Sequence, residues 1–403
     1  MSQAAAHVSG LDSRRAREHS HSINEYVDVQ PQHLIPRRGV VASWSAVLRM
    51  VRWSTLVRMP ATGWGTVCRV FRAVAATTLI LASLASLTAC DSSKPKPNSG
   101  LAAALALAPQ NATLVLFTDW AAFGHKDHAQ TRAFAGSLAN YDLLLGDALG
   151  FRSTDAAWEA DVTSASGAPV TILQFDDKTD LGAVEAKFVA QGYHKSSSDG
   201  HDMLVRPAQL SADPNKTWEI SLGAVAIDSK RHLMVAAGAP DAVNPILGNG
   251  PSLGERADVK ALGRVGPLVS AAVSVGKSAC QPLAQLSGGR MPPATLQQLR
   301  QRFTALGTLS PFTADIVGVP AAAGTTGLAA LTFADAGAAR ANAKARAAAP
   351  PVMSAMIGAQ PDAIKVTSAS ASGPVLKLAL QTSRPPVLPE AVANRSLGFD
   401  VCL

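Results

Sequence analysis

Aromatic residues make up only 5% of this chain of 403 residues. With alanine abundant, any core it builds must be mostly aliphatic and made of small side chains. Catalytic signatures are also missing. Gly-x-Ser-x-Gly occurs once, at Gly250-Pro-Ser252-Leu-Gly254, but it follows the helix expected at Pro240–Ile246 and not a strand, so it lacks the strand-to-helix turn of a serine hydrolase's nucleophile elbow. The stretch Ala271-Ala-Val-Ser-Val-Gly276-Lys277-Ser278 resembles a phosphate loop but has alanine where the first glycine is required, so its backbone cannot cradle phosphate in the usual way. His125-Lys-Asp-His128 has two imidazoles and a carboxylate, but no further His or Cys cluster completes a metal site around it, and a closed site needs three or four ligands. No metal or other cofactor is expected.

Excess charge is absent too, once it is located. The formal net charge is +7. Residues 1–89 hold 10 Lys and Arg against 4 Asp and Glu, leaving 26 against 25 for residues 90–403. The part expected to fold is nearly neutral. The basic balance therefore reports a leader, not a phosphate-binding face, and no nucleic-acid partner is expected.

What is present is an export signal. Arg69 and Arg72 precede an uncharged stretch of 17 residues, Ala73 to Ala89, with Leu79, Ile80, Leu81, Leu84 and Leu87 at its apolar centre. It ends Leu87-Thr88-Ala89-Cys90. A basic flank, a short apolar core and small residues before a cleavage point are the parts of a secretory signal. The ending resembles the bacterial lipobox, which implies cleavage between Ala89 and Cys90 and lipid attachment at Cys90, a diacylglyceryl thioether with a further acyl chain on the freed amine. The competing reading is a permanent membrane span, for which 17 residues is at the lower limit. Because a signal belongs near the start of a chain, residues 1–58 are expected to be a non-native, disordered extension. Translation would then begin at Met59 or Met50, and residues 59–89 would form the signal peptide. The tether, residues 90–108, opens with Asp91-Ser-Ser-Lys-Pro-Lys-Pro-Asn-Ser-Gly100, whose prolines would stiffen it.

With Cys68 removed and Cys90 lipidated, Cys280 and Cys402 remain. An exported compartment favours a disulfide between them; the alternative is two buried free thiols.

The folded part divides into a first module, 109–250, and a second, 251–403. Strands are expected at Thr113–Phe117, Pro169–Phe175, Leu268–Val275, Ala314–Val319 and Gly327–Phe333. Asp180 and Asp335 are candidate caps for helices after Pro169–Phe175 and Gly327–Phe333, the second helix covering Ala336–Ala347. Hairpins are expected across Ser198-Asp-Gly200, Asp228-Ser-Lys230 and Ser372-Gly373-Pro374, the second with its first arm over Trp218–Ile227. Short helices are expected near Tyr141–Leu149, at Pro240–Ile246 and at Pro389–Ala393, a helix at Pro293–Leu306, and a helical turn in the Ala/Leu run 101–108. Leu173-Gln-Phe175-Asp-Asp177 matches Leu331-Thr-Phe333-Ala-Asp335, a sign of a duplicated strand–helix–hairpin unit. The fold class is therefore α+β: two similar modules of antiparallel sheet with helices packed on one face.

Two carboxylate groups invite an acid–base reading, and turn chemistry explains both. Asp199-Gly200-His201-Asp202 sits at a hairpin tip, and Asp176-Asp177 follows a strand. Asp119-Trp120, at a strand end, could line a ligand groove; the plainer reading is a helix cap beside a core tryptophan.

Beyond the lipobox, the chain resembles a group of actinobacterial membrane lipoproteins of uncharacterised function. The features are Leu87–Cys90, the opening strand into Phe117-Thr-Asp-Trp120, Trp158-Glu159-Ala160, Gly192-Tyr193 and the Cys280/Cys402 spacing. The resemblance implies no activity. The expected function is a non-catalytic binding or interaction module, held by its lipid on the outer face of the cell membrane, with an envelope protein, lipid or glycan as partner. The alternative is a cell-envelope hydrolase with an unrecognised active site.

Overall fold

The computed structural model describes residues 100–403, apart from 126–132, 166, 207–212, 264–265, 286–290, 321–324, 358–359 and 361. Those described residues belong to one compact unit. In chain order they form α1 (Gly100–Leu107), β1 (Ala112–Thr118), α2 (Asp142–Leu149), β2 (Trp158–Ser164), β3 (Pro169–Gln174), α3 (Leu181–Ala190), β4 (His194–Ser198), β5 (His201–Val205), β6 (Ala224–Asp228), β7 (Leu233–Ala237), α4 (Pro240–Leu247) and α5 (Ala257–Leu262). The second half continues with β8 (Leu268–Val275), β9 (Gln281–Pro282), α6 (Pro293–Leu306), β10 (Ala314–Pro320), β11 (Thr326–Thr332), α7 (Ala336–Met356), β12 (Ile364–Ser372), β13 (Val375–Thr382), α8 (Val387–Ala393) and β14 (Val401–Cys402). The fold is α+β.

Among the described residues, twelve strands make one sheet, in the order β12-β13-β11-β10-β8-β1-β2-β3-β7-β6-β5-β4. Every neighbouring pair in it is antiparallel. The two modules meet at β1 and β8, where Leu116 faces Ala272, so they share a single sheet. Across β1, β2 and β3, Thr118 faces Glu159 and Glu159 faces Leu173. Across β8, β10 and β11, Ser274 faces Asp315 and Asp315 faces Leu331. Leu173 and Leu331, the matched letters of the sequence repeat, thus occupy corresponding places, each beside an acid. The first module adds the β4–β5 hairpin outside β6, where the second stops at β12.

Local chemistry sets most of these elements. Asp180 accepts from the Ala183 amide and Asp335 from the Ala338 amide, each capping its helix. Asp199 and Gly200 both have positive φ, 52° and 80°, the pair of conformations a two-residue hairpin turn demands. Helices α3 and α7 share one face of the sheet, α3 through Leu181, Val184 and Phe188 against Leu173 and Met234, and α7 through Ala339 against Val317 and Leu331.

The other face is covered as well, by α1, α4 and α5 packing on Val115, Ile172, Val235, Val273 and Ile316. The reason lies in the central strands. β7 is buried at all five positions and β10 at its first six. Such strands do not alternate apolar with polar, so both faces need cover.

Three details depart from the sequence expectations. Trp158–Ser164 is a strand that the sequence expectations did not include. Trp218 lies in a 3-10 segment, Pro214–Ile220, and not in the arm of a hairpin. And α7 runs past Ala347 through Pro350 and Pro351 to Met356. Prolines interrupt helices because they lack the N–H and crowd the preceding turn. Here Ala345, Ala349 and Met353 pack with Leu283, Leu299 and Phe303, and that burial outweighs the local break.

Candidate functional site

The structure separates the residues singled out in the sequence. Cys90, the lipid-attachment candidate, lies outside the described residues. Cys280 and Cys402 are joined, with Cα atoms 5.7 Å apart. The bond ties the start of β9 to β14, which pair in parallel beside it.

Asp119 accepts from the Ala122 amide at 2.8 Å; it heads a series of turns, where a helix was expected. Trp120 is fully buried and its indole N–H donates to Glu159 Oε2 at 2.9 Å. A ring buried in the cluster that holds Leu138, Leu145 and Phe151 cannot line a ligand groove, so Trp120 is a core residue, while Asp119 stays partly exposed as the cap of its turn. His125 Nδ1 is 2.7 Å from the Thr154 carbonyl, and His128 lies outside the described residues. Asp176 holds the turn before α3 through the Lys178 amide and the Thr179 hydroxyl. Gly276–Ser278 forms a single 3-10 turn after β8. Among the described residues no group of three His, Cys, Asp or Glu is placed to hold a metal ion.

The residues with unusual electrostatics are others. Glu159, on β2, is fully buried, and burial above all, with Asp161 adding repulsion, raises its carboxyl well above the ordinary range, while the Trp120 hydrogen bond works the other way. Its counterpart in the second module, Asp315 on β10, is buried too. Burial first, then the neighbouring Asp400, raises it well above the ordinary range, opposed by a hydrogen bond from Ser274. Asp400 is lifted to about 6, chiefly by burial, with backbone N–H groups and Arg346 pulling it back.

Arg346 stands behind this acid pair. It projects from α7, is wholly buried, and lies over the Phe312 ring at 4.9 Å. Its guanidinium donates to the carbonyl oxygens of Phe399 (2.6 Å), Val401 and Ser310 (2.5 Å). Burial pushes it down to about 10, against the pull of Asp400 and Asp315, so it stays charged at neutral pH.

Asp315 and Asp400 open onto one cavity of about 120 Å³ at the end of the central strands. Thr113 and Leu114 of β1, Thr163 of β2, Ser274 of β8 and the loop after α8 with Arg395 complete it. A second space of about 540 Å³ lies between α7, α8 and β12, and a third of about 460 Å³ beside α3. These are wider clefts without buried, unpartnered acids. The 120 Å³ cavity is therefore the candidate site. Sequence reasoning missed its acids. The available signal was a lone carboxylate inside an apolar strand, Ala314-Asp315-Ile316-Val317.

The acid pair carries a pH prediction. Asp400 binds its proton more tightly folded, at about 6, than unfolded, at 3.8. Its contribution to stability is therefore unfavourable above pH 6 and vanishes below about pH 4. Asp400→Asn removes the charge and is expected to stabilise the fold at pH 8 by about 3 kcal/mol, with less than about 1 kcal/mol left at pH 4. Urea unfolding at the two pH values checks this; a variant less stable than the parent at pH 8 contradicts it.

No protein-family model matches the chain, and no curated protein matches it. A solved structure, crystal form I of TP0453, resembles it with a TM-score of 0.37 at 9% identity, over 72% of this chain and 96% of that one. Function is therefore read from this chain's own residues.

Proposed function

We propose that this chain is a lipid-anchored, extracytoplasmic binding module and not an enzyme. The observation that carries the reading is the Cys280–Cys402 disulfide, a bond that persists in oxidising compartments and is rare in the cytosol. It agrees with the secretory signal and with the lipobox Leu87–Cys90 in the sequence. No helix among the described residues is long and apolar enough to cross a membrane; the attachment proposed is the lipid on Cys90. Two acyl chains hold a protein stably where one does not.

For the binding role, the support is a cavity with two buried acids and apolar walls. The same acids also favour the hydrolase reading, since raised carboxyls in a pocket are the pattern of acid–base chemistry. The size of the cavity favours the binding role. About 120 Å³ admits a few heavy atoms, not a segment of an envelope polymer set between an acid and a base.

Intact mass of the membrane-extracted protein tests the anchor. The expected mass is residues 90–403 plus diacylglyceryl and acyl groups, and it is lost in Cys90→Ala. An unlipidated product that keeps the leader would overturn the anchored reading.

A further inference from the structure

Two carboxylate oxygens, Asp315 Oδ1 and Asp400 Oδ1, are buried and have no hydrogen-bond partner. Asp315 is 4% exposed and Asp400 5%, and both line the same cavity. An acceptor removed from water and left unpaired is costly, more so when it carries charge. Such a group persists where something supplies donors to it.

Arg346 does not fill that role. Its terminal nitrogens are committed to the carbonyls of Phe399, Val401 and Ser310. Among the described residues no Lys, Arg or His makes an ion pair with either acid within 4.0 Å. A hard divalent cation fits poorly, because it takes six or more oxygen ligands or keeps several waters, and no third acidic, His or Cys ligand stands by.

The rest of the wall is what a different cation needs. Next to the acids stand the hydroxyl-bearing residues Ser274 and Ser278, and the remaining surface includes Leu114, Val317 and Leu397. A primary ammonium has three donors and no acceptor. Two carboxylate oxygens and one hydroxyl meet all three, while an aliphatic stem covers the leucine and valine side chains as lysine stems do. At the rim lies Arg395, exposed and held at φ 51°. Its charge favours the ionised form of Asp400 and opposes a second cation at the outer end of the stem.

We infer that the cavity between β10 and the C-terminal segment is a receptor for a primary ammonium group on a short aliphatic stem, from a free alkylamine or a lysine side chain of a partner. This rests on the reading of the folded part as a binding module, and not on the lipid anchor. Both acids have raised affinity for protons, so an ammonium that restores their charge displaces a proton. Binding is therefore expected to strengthen as the pH rises through about 6, while the amine remains charged.

The test is calorimetric titration and thermal unfolding of the whole chain at pH 8 with n-butylamine. Tetramethylammonium serves as a control with the same charge and no donors, and magnesium chloride as the metal arm. Asp315→Asn with Asp400→Asn keeps the shape and removes the charges, and its far-ultraviolet circular dichroism reports that it folds. Expected are a higher unfolding midpoint with butylamine, no response to tetramethylammonium, and about tenfold or greater loss of affinity in the double variant. An acetyl-Gly-Lys-Gly-amide peptide that binds, and fails to bind once its lysine is acetylated, assigns the group to a partner's lysine; butylamine binding alone assigns it to a free amine. Equal response of parent and double variant to butylamine, or equal response to tetramethylammonium, overturns the inference. Stabilisation by magnesium alone overturns it while leaving a binding module; no response to any of the three overturns both.

Discussion

Replacing Arg346 by methionine is expected to destabilise the fold by about 3–5 kcal/mol at pH 8, the range for removing one member of a buried charged set. Methionine fills a similar stem volume and keeps contact with Phe312 and Phe333, so the loss isolates the guanidinium. Three buried carbonyls, at Phe399, Val401 and Ser310, lose their donor, and each hydrogen bond to a charged group is worth about 1.5–3 kcal/mol. Arg346 also favours the ionised forms of Asp315 and Asp400. Without it both carboxyls rise further, so the folded state of the variant binds protons over a wider range than that of the parent. The deficit should therefore shrink as the pH falls from 8 towards 4, leaving the hydrogen-bond part alone. Urea unfolding across that range reads both parts. A deficit that is flat with pH would show that Arg346 does not act on the acid pair, and a deficit under 1 kcal/mol would show that the three carbonyls find water when it is gone.

Much of the fold could be read from the sequence because its signals are local. Asp199-Gly200 and Ser372-Gly373 mark hairpin turns by backbone preference alone, and Asp180 and Asp335 mark helix starts by what their side chains can accept. The match of Leu173 with Leu331 proved to be a match of register. What stayed hidden depended on contacts distant in sequence. β2 reads Trp-Glu-Ala-Asp-Val-Thr-Ser, a pattern that assigns Glu159 and Asp161 to solvent; they face a helix layer instead, and Glu159 is fully buried. The end of α7 was masked by Pro350 and Pro351, because packing against α6 is not a local property. The candidate site is the extreme case. Asp315, Arg346 and Asp400 come from a strand, a helix and the C-terminal segment, and no spacing in the chain relates them.

Loss of the disulfide is expected to cost about as much as loss of Arg346, for a different reason. Cys280 and Cys402 are 122 residues apart, and closing a loop of that length in the unfolded chain is worth about 5 kcal/mol on the chain-entropy argument. Cys280→Ala with Cys402→Ala should lower the unfolding free energy by that order. Because the released unfolded chain exposes more surface, the urea m-value should rise together with the fall in midpoint. An unchanged m-value with a lower midpoint would place the loss in native contacts. The two predictions are also coupled. The bond and Arg346 hold the same short segment, Phe399 to Cys402, against α7 and β9. If that segment detaches once the bond is gone, Arg346 has fewer carbonyls to hold, and Arg346→Met should then cost less in the disulfide-free chain than in the parent. A double-mutant cycle measures the difference. A coupling of 1 kcal/mol or more, of the sign that makes the combined loss smaller than the sum, would mark the C-terminal segment as one cooperative latch over the acid pair. Strict additivity would show that Arg346 keeps its three carbonyls whether or not the bond is closed.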